Sequence, residues 1–275
     1  MPPMHSSAHP TATARPARPE RPGEWVVLTH GFMANRWMLA PLSSRLRHDG
    51  WQTRCWGYES WWTSVRVHAA GFADLLRSLD DDPAVSTLHL VTHSMGCIIG
   101  RAALDRYRPA KLGRFVMLAP PNRGSFVATA TAGFFGRVLK PVAELTTRTD
   151  SLVNTTPQPE GVQVGVIAAE RDALVALDAT RLDVPHDHIT LPCLHSSLLF
   201  RRDSADLIAT FLATGSFEPE RDRPTAFHSA RASGFPEEGH GDSGFHNGCD
   251  APRGFPDESR GDPDLTAEGR RADCG

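Results

Sequence analysis

Strand-like and helix-like segments alternate along residues 25–215 of this 275-residue chain, and the alternation predicts an α/β fold, a mainly parallel sheet with helices on both faces. Two further observations agree. Helix-like stretches keep their apolar residues on one side, two of them closing on glycine, and the chemistry-bearing residues follow strands, where open α/β sheets place their ligands. In order, "WVVLT" (25–29) is a short apolar, β-branched strand. "WMLAPLSSRLRHDG" (37–50) carries Met38, Leu42 and Leu46 at helical spacing and ends on Gly50. "WQTRCWGY" (51–58) alternates as a strand does, and "SVRVHAAGFADLLRSLDDD" (64–82) is a one-sided helix through Val65, Phe72, Leu75, Leu76 and Leu79. "STLHLVT" (86–92) is the next strand, and 98–107 the next helix. "RFVMLAP" (114–120), "VQVGVIAA" (162–169) and "HITLPCL" (188–194) are again strands, and the amphipathic run 196–215 closes on Gly215.

Composition sets the expected boundaries. Residues 1–23 are rich in Pro, Ala and Arg and lack the apolar stretch of a secretory signal, which predicts a disordered leader. Residues 217–275 turn to Gly, Pro, Asp, Glu and Arg, with "GFPEEG" at 234 echoed by "GFPDES" at 254, and read as a low-complexity tail. The folded unit is expected at 24–216. A formal net charge of −3 speaks against a nucleic-acid partner or an anionic membrane surface. No apolar run approaches the roughly 20 residues that span a bilayer, so the default location is cytoplasmic. The five cysteines (55, 97, 193, 249 and 274) have no CxxC spacing and read as reduced thiols rather than a zinc site or disulfide framework. Neither a metal nor an organic cofactor is implied, and oligomeric state is not legible.

The chemistry concentrates in "HLVTHSMGC" (89–97), where a strand runs into Ser94, one residue, Gly96 and a helix: the outline of a nucleophile elbow. Other strands are followed by His30-Gly31-Phe32, by Glu170-Arg171-Asp172 and by His195. A serine hydroxyl becomes nucleophilic when histidine takes its proton, and the imidazole needs a carboxylate on its other nitrogen. Ser94, His195 and Asp172 supply those types, and the backbone N–H groups of Met95 and Phe32 are the candidate oxyanion donors.

"VVLTHGF", "VTHSMG", "MLAPPNRGS" and "DALVALDATRL…DHITLPCLHSSLL" resemble the bacterial triacylglycerol lipase/esterase group of the α/β-hydrolase fold, over most of 25–215. The chain order Ser…Asp…His is that fold's order. The resemblance implies Ser94 as nucleophile, His195 as base, Asp172 as acid, Phe32 and Met95 as oxyanion donors, and a short cap segment at about 121–160. It implies a lipid-like or small acyl ester as substrate. Three positions depart from the pattern: Thr92 and Cys97 where glycines are frequent, and Ala173 after the acid. Because the loop before Asp172 is short, Glu170 is an alternative acid, with Asp178, Asp183 and Asp187 as outside candidates. His93 reads as packing or hydrogen-bonding beside the elbow, "HDH" (186–188) as a polar loop, and "WGYESWW" (56–62) as either an acyl-pocket wall or plain packing. An acyltransferase with the same triad and a non-catalytic binding module are the other functional readings.

Overall fold

The computed structural model describes residues 21–125, 141 and 144–218. Six strands form one sheet: β1 (Glu24–Thr29), β2 (Gln52–Trp56), β3 (Thr87–His93), β4 (Leu112–Leu118), β5 (Gln163–Ala169) and β6 (Asp187–Leu191). All are parallel, in the order β2-β1-β3-β4-β5-β6. The chain runs outward from β1 to β2, then returns to β3 on the other side of β1. That reversal makes the β1/β3 boundary the switch point of the sheet.

Alternating side chains build a core on each face. Val26, Leu28, Val91, Val116, Leu118 and Ile167 pack with residues of α1 (Ala40–His48) and α5 (Arg202–Thr214), among them Leu42, Leu46, Ile208 and Phe211. Val27, Leu90, Phe115, Met117 and Val166 pack with Phe72 and Leu76 of α2 (Val65–Asp80) and with Ile98, Ile99 and Ala103 of α3 (Met95–Arg106). Fully buried Arg101 of α3 donates to the backbone oxygens of Asn122, Val153, Thr156 and Pro157 and to Asn122 Oδ1. It thereby ties α3 to the short helix α4 (Leu152–Thr155) and to the segment after β4.

Several element limits differ from the sequence reading for local reasons. The helix expected over 37–50 is a 3-10 turn (Arg36–Leu39) followed by α1, with Asn35 capping the Trp37 N–H and Pro41 in the first turn of α1. The helix expected over 196–215 is likewise divided into a 3-10 turn (His195–Leu199) and α5. Arg45 Nη1 donates to the Phe200 carbonyl at 2.6 Å, and the Ser204 N–H is taken by Asp203 Oδ1 at 2.9 Å. Those two groups would have paired in a continuous helix. α3 begins three residues earlier than expected, immediately after Ser94, and β4 stops at Leu118 because Ala119 turns to φ 45° ahead of two prolines.

The fold extends slightly beyond the compositional limits. Arg21 lies 4.0 Å over the Trp51 ring, and the Gly23 carbonyl accepts from the Ser86 N–H. Phe217, assigned by composition to the tail, is buried against Phe211, and its N–H donates to Asp187. The remainder of the expected leader and tail, and residues 126–140 and 142–143 of the expected cap segment, lie outside the described residues. The two flanks of that inner segment meet: the Ser125 N–H donates to the Leu145 carbonyl at 2.8 Å, and the Glu144 carboxylate accepts from Ser64 Oγ and the Val65 N–H at the start of α2. Among the described residues Cys55, Cys97 and Cys193 are free thiols, and no helix is long and apolar enough to cross a membrane.

Burial of Phe217 is open to direct measurement. Phe217→Ala should lower unfolding free energy by about 3 kcal/mol in urea denaturation, whereas a loss near zero would return the boundary of the folded unit to residue 216.

Candidate active site

Ser94 is the single residue between the end of β3 and the start of α3, with φ 54° and ψ −124°. That conformation strains a residue bearing a Cβ by about 1–3 kcal/mol, so the surroundings must hold it. The Ser94 N–H donates to the Leu118 carbonyl at the end of β4 (2.9 Å), and its own carbonyl accepts from the Cys97 N–H (2.9 Å). Two glycines allow the crowding. A Cβ at Gly31 would lie 2.7 Å from Ser94 Cβ, and one at Gly96 would lie 2.5 Å from the His30 carbonyl oxygen. The loop after β1 therefore rests against the β3–α3 turn.

Tyr58 fixes that loop from behind. Its hydroxyl donates to the His30 carbonyl (2.6 Å), its ring stacks on the His30 ring at 4.2 Å, and its N–H points at His30 Nε2 (3.4 Å). His30 Nδ1–H in turn donates to the Gly31 carbonyl (2.9 Å). Burial depresses the His30 pKa against the opposing effect of that hydrogen bond, and the ring stays neutral.

On the far side of the sheet the β5–β6 ladder continues past both strands, with the Glu170 N–H on the Leu191 carbonyl and the Arg171 N–H on the Cys193 carbonyl. This extension sets Asp172 beside His195 despite the short loop. His195 Nδ1–H donates to Asp172 Oδ2 at 2.6 Å, while Asp172 Oδ1 accepts from the Leu174 and Val175 N–H groups at 2.8 and 3.0 Å. Burial acts to raise the Asp172 pKa, but the His195 hydrogen bond and charge, with the two N–H donors, outweigh it and hold the carboxyl below its usual range. His195 itself is buried and its carbonyl faces His93 Nε2 at 3.3 Å.

No family model and no curated protein matches this chain. Solved structures do. The mature form of Bacillus licheniformis lipase BlEst2 is similar over 75% of this chain and 96% of its own, at TM-score 0.55 and 16% identity. Aspergillus fumigatus lipase B is similar over 69% of this chain and 52% of its own (TM-score 0.56, 14% identity), and the Pyrococcus furiosus esterase Pf2001 over 70% and 82% (TM-score 0.54, 15% identity). The chain has the α/β-hydrolase fold.

On this hydrolase fold the sequence candidates separate. Ser94, Asp172, His195, Met95 and Phe32 all follow C-terminal strand ends, on one edge of the sheet. Of the candidate acids, only Asp172 contacts His195 among the described residues. Glu170 and Asp178 are exposed, Asp183 pairs with Arg123, and Asp187 accepts from Ser216 and Phe217. "HDH" is not a loop throughout, since Asp187 and His188 open β6, with His188 Nε2 on Thr180 Oγ1 at 2.9 Å. Among the described residues no three His, Cys, Asp or Glu side chains are grouped to hold a metal ion. The Trp-rich run divides: Trp56 packs on Phe72 and Tyr58, Trp61 and Trp62 are exposed, and Trp61 lies 5.8 Å from Phe32. Cys97 donates to the Thr92 carbonyl, and burial pushes its thiol up to about 12, so it stays protonated. Sequence reasoning missed Tyr58, which carried no motif; its signal was confined to an aromatic residue after an edge strand.

Two outcomes follow from this geometry. Gly31→Ala should fold poorly or displace Ser94, read as lower thermal stability together with slower labelling of Ser94 by a fluorophosphonate. The second concerns pH: a carboxyl with a depressed folded pKa stabilises fully above its unfolded value, near 3.9. That stability is lost as pH falls through the lower folded value. The stability gap between the chain and Asp172→Asn in urea titrations should therefore be level near neutrality and narrow below about pH 4.

Proposed function

We propose that this chain is a serine hydrolase that cleaves carboxylic esters through an acyl-enzyme. The observation that carries the reading is the 2.6 Å His195–Asp172 hydrogen bond on the same sheet edge as Ser94, a serine held at positive φ between strand and helix. Similarity to lipases and esterases supports it.

In this reading Ser94 is the nucleophile of an elbow. His195 Nδ1–H is held by Asp172, which fixes the tautomer and leaves Nε2 free to take the Ser94 proton as Oγ attacks the ester carbonyl. Asp172 then stabilises the imidazolium. Negative charge develops on the former carbonyl oxygen and is met by backbone N–H groups of Met95 and Phe32. Met95 is the first residue of α3, so its N–H has no intrahelical acceptor, and the positive end of a 12-residue helix adds to the stabilisation. His195 returns the proton to the departing alkoxide. Water, deprotonated by the same base, then attacks the acyl-Ser94 carbonyl and releases the acid.

A fluorophosphonate probe tests the nucleophile. Labelling should map to Ser94 and vanish in Ser94→Ala; a folded wild-type chain that takes no label refutes the reading. On p-nitrophenyl esters of graded chain length, Asp172→Asn should lose on the order of 10⁴ in kcat, while Glu170→Gln stays near wild type. The reverse pattern would move the acid to Glu170. Added alcohol with product analysis distinguishes transfer from hydrolysis.

A further inference from the structure

His93 is the residue before Ser94, and nothing in the proposed chemistry uses it. It is nonetheless a polar side chain that is only 3% exposed. Its Nε2 faces the backbone carbonyl of His195 at 3.3 Å, and the two rings lie 4.9 Å apart. A carbonyl only accepts, so the ring proton sits on Nε2 and Nδ1 is a bare acceptor. Among the described residues Nδ1 has no partner, and the position a Cβ would take at Gly31 is 3.3 Å from it.

We propose that His93 is a positioning residue for His195: its Nε2–H ties the turn that carries the base to the strand that carries Ser94. The inference rests on the serine-hydrolase reading above. Topology gives the tie its value. β3, which ends at His93, and β6, which precedes His195, are separated in the sheet by β4 and β5. Asp172 restrains the imidazole of His195 from the β5 end, by a hydrogen bond to the ring rather than to the backbone of the turn that carries it. The His93–His195 hydrogen bond spans residues 102 apart in sequence and links base and nucleophile directly at the sheet edge. Space-filling alone is a poor account of the side chain. Phe or Leu would fill a buried site without leaving a ring nitrogen unpaired, which costs the desolvation of that nitrogen. Titration is an equally poor account, because burial, with the neighbouring His195, drives the His93 pKa to about 3 and leaves a neutral donor through the working range.

The test compares His93→Phe, which removes the donor, with His93→Gln, whose amide nitrogen reaches as far as Nε2. On a p-nitrophenyl ester, His93→Phe should lose about tenfold in kcat with KM held within about twofold, as expected for a misplaced base. His93→Gln should keep most of kcat. Independently of turnover, the downfield proton resonance of the His195–Asp172 hydrogen bond should persist in His93→Gln and broaden by exchange in His93→Phe. Should His93→Phe not fold, His93→Asn, whose amide falls short of the His195 carbonyl, is read in its place. Unchanged kcat and an unchanged resonance in a folded donor-less variant overturn the proposal. Equal losses in the Gln and Phe variants, tracking lower thermal stability, overturn it in favour of packing. A wild-type chain without label or turnover refutes the hydrolase reading instead, and the resonance comparison still decides whether the tie orders His195.

Discussion

A strained serine can persist only where its neighbours leave it no other conformation, and in this molecule that confinement organises the centre of the sheet. The β3–α3 turn is fixed by the Leu118 carbonyl on one side and by the loop after β1 on the other. The loop approaches closely because Gly31 and Gly96 carry no side chain, and it stays because Tyr58 holds His30 by ring, N–H and hydroxyl together. Removing water and freedom from this junction costs conformational entropy that the two flanking cores offset. The apolar, parallel strands on either side are therefore part of the same constraint as the conformation of Ser94.

The alternation of elements and the C-terminal placement of Ser94, Asp172 and His195 were legible because both depend on periodicity and on residue type next to strands. Boundaries were less so. The break between the two halves of 195–214 turns on Arg45, distant in sequence, taking the Phe200 carbonyl, and no local pattern encodes that. Phe217 reads as tail by composition and is core by contact, since one aromatic ring needs only a partner such as Phe211 rather than an apolar neighbourhood in sequence. Which carboxylate meets His195 was ambiguous for a related reason. Two carboxylates two residues apart differ only in how far the β5–β6 ladder continues, a tertiary property. His93 was read as packing or hydrogen-bonding beside the elbow, but its acceptor, and the part played by Tyr58 within the Trp-rich run, were not legible, because each acts on a backbone carbonyl and leaves no motif.

Among the described residues, Arg101 is a buried cation held by neutral oxygens rather than by a carboxylate. Its guanidinium meets five oxygens of backbone and amide, and burial depresses its pKa to about 10. The planar fork of arginine suits this distribution of acceptors, and a lysine ammonium would reach only some of them. α3 is thus clamped at its middle, while its first residue follows Ser94 at the C-terminal edge of the sheet.

The Ser125 N–H meets the Leu145 carbonyl, and Glu144 accepts from the start of α2, so the two residues that bound the intervening stretch of sequence are fixed next to each other. Where two points of a chain are fixed together, the entropy of closing a flexible connection between them grows only logarithmically with length, by about 0.6 kcal/mol for each doubling. The α/β-hydrolase fold can therefore accept a longer or shorter sequence between Ser125 and Leu145 at small entropic cost, provided that both hydrogen-bonded anchors are kept.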